Sequence, residues 1–163
     1  MNLLLTREYR IGNELDRLAA TVGDLLAAAR PYLPVNGQLE VALYEALYNA
    51  VEHGNLGLSC AEKKQLIENG RYDEFIARRQ RQIPYADRTV ALLLQITEQE
   101  AVITITDQGA GFDWRERLAA GHDEASLLEV NGRGIRIMQS VFDEVRYNRT
   151  GNTVTLIKKR ETA

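Results

Sequence analysis

The feature that most constrains the fold is a change of hydrophobic period along the chain. Leu15, Leu18, Val22, Leu25, Leu26 and Ala29 recur at spacings of three, four and seven, the mark of an amphipathic helix. A second stripe, Leu39, Leu43, Ala46, Leu47, Ala50 and Val51, runs through a helix predicted over Gln38–Glu52. Beyond residue 88 the pattern becomes extended. Thr89–Thr97 and Ala101–Asp107 are rich in Val, Ile, Leu and Thr, and only Glu98-Gln99-Glu100 separates them, which predicts a β-hairpin. Glu144–Arg149 and Thr153–Lys159 form a second pair around Thr150-Gly151-Asn152. Leu3–Tyr9 adds a strand and Gly134–Phe142 a helix. Links this short join antiparallel neighbours, since parallel strands need a long crossover. The expected class is therefore α+β, a two-layer α/β sandwich whose mostly antiparallel sheet is covered on one face by helices. The missing βαβ alternation argues against a doubly wound nucleotide fold.

Local chemistry sets the boundaries. Asn13 can cap the first helix, and Pro31 and Pro34 mark its end. Gly54 and Gly57 end the second. Residues 59–88 are charged and helix-prone, broken at Asn69-Gly70 and at Pro84; they read as an insert of two short helices. Residues 109–133 hold little continuous core pattern beyond a helical stretch, Trp114–Ala120, and a loop of that length in a compact domain is usually functional or mobile. The 163 residues suit one domain.

Composition excludes several classes. A net charge of −3 gives no electrostatic support for direct nucleic-acid binding. Cys60 is the only cysteine, and His53 and His122 lie far apart, which argues against a disulfide framework or structural zinc and for a reducing compartment. The N-terminus is too soon charged for a signal peptide, and no apolar run approaches the ~20 residues of a membrane span. The expectation is a cytoplasmic protein that does not engage a membrane.

Three constellations carry chemistry. Glu45, Asn49 and His53 are at i, i+4 and i+8, a polar stripe that turns by only about 40° per step. Asn49 offers a neutral oxygen to a hard cation such as Mg²⁺, and Glu45 a base for a hydroxyl or water; any amphipathic helix also puts polar residues opposite its apolar stripe. Asp107-Gln108-Gly109-Ala110-Gly111-Phe112-Asp113 follows a strand. The carboxylate can accept from a purine amine, and the glycines permit close backbone approach, although Asp-x-Gly is turn chemistry in its own right. Asn131-Gly132-Arg133-Gly134 opens a helix, where backbone N–H groups suit phosphate; an ordinary N-cap has the same look. Together, in this order, they supply metal, base, mobile cover and phosphate groups for one ligand, ATP.

With those residues in view, the chain resembles the ATP-binding domains of the GHKL superfamily, and within it the anti-sigma-factor serine/threonine kinases. Leu43–Gly54 resembles their N box, Asp107–Asp113 and Gly132–Met138 their two glycine boxes, and Thr153–Leu156 their final strand. The resemblance implies a histidine kinase-like ATPase fold with ATP and Mg²⁺ as cofactors. It implies Glu45 as general base, Asn49 on the metal with His53 in the same box, and Asp107 on adenine with Thr153 nearby. Gly109, Gly111 and Phe112 would shape the pocket, residues 109–133 would form a lid, and Gly132, Arg133 and Gly134 would meet the phosphates. It further implies a STAS-type anti-anti-sigma partner phosphorylated on serine, a sequestered sigma factor, and a homodimer. The insert is longer than in the simplest such kinases and is similar to ATPase domains attached to response-regulator or phosphatase modules. Arg78, Arg79 and Arg81 in it suit a partner, a phosphate or a solvated helix face. Two other functions compete: a nucleotide-gated binding module without turnover, and the catalytic domain of a histidine kinase, which lacks here an upstream phosphoacceptor hairpin.

Overall fold

The computed structural model describes residues 2–112, 114–115 and 133–160. Strands β1 (Leu3–Ile11), β2 (Val90–Thr97), β3 (Glu100–Thr106), β4 (Glu144–Tyr147) and β5 (Thr153–Lys159) form one sheet in the order β1-β2-β3-β5-β4. Every pairing is antiparallel, so the expected α+β sandwich is the observed one. The β3–β5 pairing positions the site. Thr106 lies opposite Thr153, and the Asp107 amide donates to the Asn152 carbonyl at 2.9 Å. The end of β3 and the start of β5 are thus held side by side.

One sheet face carries the core. Val90, Leu92, Leu94 and Ile96 of β2, with Ala101, Ile103 and Ile105 of β3, are buried, while their alternating neighbours are only half-buried. Helix α1 (Leu18–Ala29) answers with Leu18, Val22, Leu25, Leu26 and Ala29. Helix α2 (Gly37–Asn49) brings Leu39, Ala42, Leu43, Ala46 and Leu47. Each buried Leu, Ile or Val side chain is worth about 1.5–3 kcal/mol of transfer free energy. Both α1 and α5 (Arg133–Val141) pack against α2, which makes α2 the central helix. It starts where Asn36 accepts the Leu39 amide at 2.9 Å, an N-cap.

Asn13 departs from its predicted role. The chain enters α1 through a 3₁₀ turn, Leu15–Arg17, without a side-chain cap. Asn13 is buried instead, donating to the Tyr85 carbonyl at 2.6 Å and accepting from the Asn55 side chain at 2.8 Å. An amide side chain has both a donor and an acceptor, and here each serves an interior group rather than a helix end.

Between α2 and β2 lie α3 (Cys60–Glu68) and α4 (Tyr72–Arg79). Ser59 and Glu62 form a capping box at the start of α3, and the backbone bond from Ser59 holds the Glu62 carboxyl below its ordinary range. The three insert arginines part company. Arg79 donates to the Leu56 carbonyl at 3.1 Å and lies 4.3 Å over the Tyr85 ring, while Arg78 and Arg81 are exposed.

Asn55 ties these layers together. It is fully buried, donates to Asn13, and its Oδ1 accepts the Gln108 amide at 2.7 Å. Asn55→Ala would strand both partners and leave a cavity, so urea denaturation should show a loss of about 2–4 kcal/mol.

Candidate functional site

Helix α2, the π turn that follows it and the β3–β5 end of the sheet line a common pocket. The helix side contributes Ala46, Asn49, Ala50, His53 and Gly54. The sheet side contributes Ile105, Asp107, Gly111, Phe112, Tyr147, Gly151, Asn152, Thr153 and Val154. The structure therefore brings Asn49, His53, Asp107, Gly111, Phe112 and Thr153 to one cavity.

The helix does not run as predicted. It is α-helical to Asn49 and continues as a π-helix over Ala50–Asn55, with the Leu56 amide reaching back five residues to the Val51 carbonyl at 2.8 Å. A π turn closes on the fifth residue, so each residue advances by less than the 100° of an α-helix. His53 consequently falls back toward the Glu45–Asn49 stripe, and Glu52 is turned away from it. On an ideal α-helix Glu52, seven residues after Glu45, would have shared that stripe. Single π turns inside helices are frequent at functional sites.

Asp107 is the most unusual group on the sheet side. Only 8% of it is exposed. Its Oδ1 accepts the Gly109 amide at 2.8 Å, and its Oδ2 accepts no hydrogen bond among the described residues. Burial pushes its pKa up to about 6, against smaller lowering effects of the Gly109 bond and the Arg88 charge. Beside it, Thr106 and Thr153 bring their hydroxyls within 3.1 Å.

Two glycines make this packing feasible. A Cβ on Gly54 would overlap the Asp107 carboxylate, and one on Gly109 would overlap the Gly54 carbonyl. Gly109 thus supports Asp107 from behind rather than lining the cavity. Gly111 sits at φ +81° against the Thr150 carbonyl, a conformation that glycine adopts readily.

At the other end of the α2 stripe, α5 begins against Glu45 and Asn49. A Cβ on Gly134 would lie 3.0 Å from Asn49 Nδ2 and 3.1 Å from Glu45 Oε2. Glu45 and Asn49 are half-buried in this junction, not solvated opposite the core. Arg133 is exposed at the first residue of α5. Gly132, Asp113, His122 and all but a few residues of the segment read as a lid, with the stretch 116–120, lie outside the described residues.

A sequence model of the histidine kinase-like ATPase domain matches residues 13–158. The chain belongs to this family. No curated protein matched it. Membership, together with the five-stranded antiparallel sheet, makes it a domain of the GHKL type, and the family points to ATP as the ligand. No helix among the described residues is long and apolar enough to cross a membrane.

Several pocket residues of this ATPase domain were not legible from their immediate sequence. Ala46 and Ala50 read as core, yet their small side chains also open the cavity floor. Gly54 reads as a helix end, and Gly151 and Asn152 as a hairpin turn. Tyr147 packs edge-on to Phe112 and stacks on Trp114. The one available signal was the coincidence of small residues at Ala46, Ala50 and Gly54, four apart on the side that carries Asn49.

Asp107 also makes a stability prediction. Its folded pKa is above the unfolded value, so its favourable contribution is complete below about pH 4 and is lost as pH rises through about 6. At pH 7 the free protein carries a buried, half-satisfied carboxylate. Asp107→Asn keeps the shape and the Gly109 bond, and should raise the stability of the free protein at pH 7. The expected gain is about 1 kcal/mol, a discounted figure because the group faces solvent through the pocket, and it should vanish below pH 4 in thermal melts.

Proposed function

We propose that this pocket takes Mg·ATP and that the protein transfers the γ-phosphoryl group to a serine hydroxyl of a protein partner, in the manner of anti-sigma-factor serine/threonine kinases. The observation that carries the reading is the seating of the α5 start over Glu45 and Asn49 while Asp107 packs on Gly54. Glu45 and Gly54 are nine residues apart along one helix, about 13 Å at helical rise, the scale of an extended nucleotide. A base acceptor at one end and a helix N-terminus at the other suit adenine and phosphates respectively.

In this reading Asp107 Oδ2 accepts from the adenine amine, with the Thr153 hydroxyl alongside. The phosphates lie toward Gly132, Arg133 and Gly134. Asn49 Oδ1 would supply the protein ligand to Mg²⁺, a hard cation that takes oxygen donors. The donor set fits: Asn49, in the pocket lining, offers a neutral carboxamide oxygen of the kind a hard cation takes. Bound Mg²⁺ would offset charge on the transferred phosphoryl. Glu45, one turn before Asn49, takes the proton of the attacking hydroxyl. The resemblance supports a STAS-type anti-anti-sigma protein as acceptor, a sigma factor as the sequestered regulator, and a homodimer as the working form.

The test is incubation with Mg·ATP and STAS-type candidates from the same genome, followed by phosphoserine analysis. Glu45→Ala should lower transfer by about 10²–10⁴-fold and leave nucleotide binding nearly intact. Bound ATP with no phosphoserine in any candidate, and partner capture unchanged by Glu45→Ala, would replace the kinase by a nucleotide-gated binding module.

The adenine contact has its own test. Asp107→Asn puts an amide donor where the carboxylate Oδ2 stood, facing another donor, so adenosine binding should be lost while the fold is kept. In the wild type, adenosine affinity should fall as pH drops through about 6, as Asp107 gains a proton. Adenosine is the suitable probe because a terminal phosphate titrates near pH 6 as well. A flat profile between pH 5 and 8 would remove Asp107 from adenine recognition.

A further inference from the structure

A buried polar cluster centred on Glu52 lies behind the pocket and has no part in the mechanism above. Glu52, in the π turn, is fully buried. Its Oε1 accepts from the Tyr48 hydroxyl at 3.0 Å and from the Tyr72 hydroxyl. Its Oε2 meets Lys63 Nζ at 2.8 Å and His53 Nε2 at 3.1 Å. The Tyr48 and Tyr72 hydroxyl oxygens also lie in close contact with each other, and Lys63 Nζ lies 4.9 Å over the Tyr48 ring. Desolvation pushes the Tyr48 hydroxyl up to about 12 and raises that of Tyr72 further, so both remain donors.

Four elements meet at this one side chain. Tyr48 belongs to α2, His53 to the π turn, Lys63 to α3 and Tyr72 to α4. His53 is the only one of the four that also lines the pocket. Both of its ring nitrogens face acceptors, Glu52 Oε2 and, at 2.6 Å, the Leu58 carbonyl. Two contacts on opposite sides of an imidazole fix its rotation. The Glu52 carbonyl in turn accepts the Leu58 amide at 3.1 Å, which closes the reversal between the π turn and α3.

We propose that Glu52 is a positioning residue for the nucleotide pocket: through it the α3–α4 layer holds the π turn and sets His53 in the pocket wall. The proposal rests on the nucleotide reading for its consequence on affinity, but not for the coupling itself. It gives the insert a role inside the domain. Neither Lys63 nor Tyr72 lines the pocket, yet each is one side chain removed from a group that does.

Glu52→Ala risks unfolding the chain, so the experiment uses Lys63→Met and Tyr72→Phe, with Ile76→Val as control. Ile76 is buried in α4 and takes no part in the cluster. Each variant is measured by thermal melt, by the His53 ring signals in ¹H–¹³C NMR spectra, and by Mg·ATP affinity from calorimetry. Histidine signals are simple to follow in a chain with two histidines. The expected result is displaced His53 signals and roughly 2- to 30-fold weaker Mg·ATP binding in Lys63→Met and Tyr72→Phe, with neither change in Ile76→Val. Lower melting temperatures with His53 signals at wild-type positions, or equal displacement in Ile76→Val, would overturn it. Displaced His53 signals in the two variants, together with a wild type that binds no nucleotide, would leave the coupling standing and remove the nucleotide reading alone.

Discussion

Helix α2 packs against α1 on one side and α5 on the other, and the rest of the site follows from that packing. Leu39, Ala42, Leu43, Ala46 and Leu47 make one continuous buried face of this helix, while Gln38, Glu40 and Val41 near its start are exposed. The polar sector beside that face is covered by α5 on one side and by the ends of β3 and β5 beneath. Glu45 and Asn49 occupy it, and the small side chains of Ala46 and Ala50 keep space beside them. Polar groups in such a sector are shielded from bulk water, and electrostatic interactions there are stronger than on an open surface. The pocket is therefore a consequence of how the core is packed.

The π turn adjusts the end of that helix. A regular α-helix through residue 55 would place Glu52 on the ligand side and carry His53 farther round. Closing on the fifth residue reverses this, sending Glu52 into the interior and His53 toward the cavity. The interior position is tolerable because donors from four residues meet the carboxylate; a buried charge without such partners would be strongly destabilising. The helix irregularity and the cluster depend on each other, since the cluster forms only with Glu52 turned inward.

The legibility of the sequence follows the range of the interactions involved. Period and link length gave the sandwich, because hairpin links of three residues leave antiparallel pairing as the sole option. The order in which β5 enters between β3 and β4 was not written in any local pattern; it depends on Thr106 meeting Thr153 across 47 residues. Asn49 and Asp107 stood out since their neighbours, a helix face and an Asp-x-Gly turn, are local. Asn13 looked like a cap for the same reason, and its true partners, Tyr85 and Asn55, are 72 and 42 residues away. Glu52 sat next to a recognised histidine and drew no notice, since its donors on α3 and α4 are brought to it only by tertiary packing.

Among the described residues two carboxylates are nearly removed from water, Glu52 and Asp107, and their treatment differs. Glu52 has every oxygen engaged by donors from within the fold. Asp107 is almost as buried, yet one oxygen has a backbone donor and the other has none among the described residues. Folding alone would favour an asparagine or an additional donor at that position, because an incompletely paired carboxylate raises the free energy of the native state at neutral pH. Gly54 and Gly109 carry a related burden, giving up side chains so that the backbone can close around the same group. Such local costs persist where a ligand supplies the missing interaction. The asymmetry between the two carboxylates thus separates an acid completed by its own chain from one that keeps an acceptor toward the pocket, the property on which the proposed adenine contact rests.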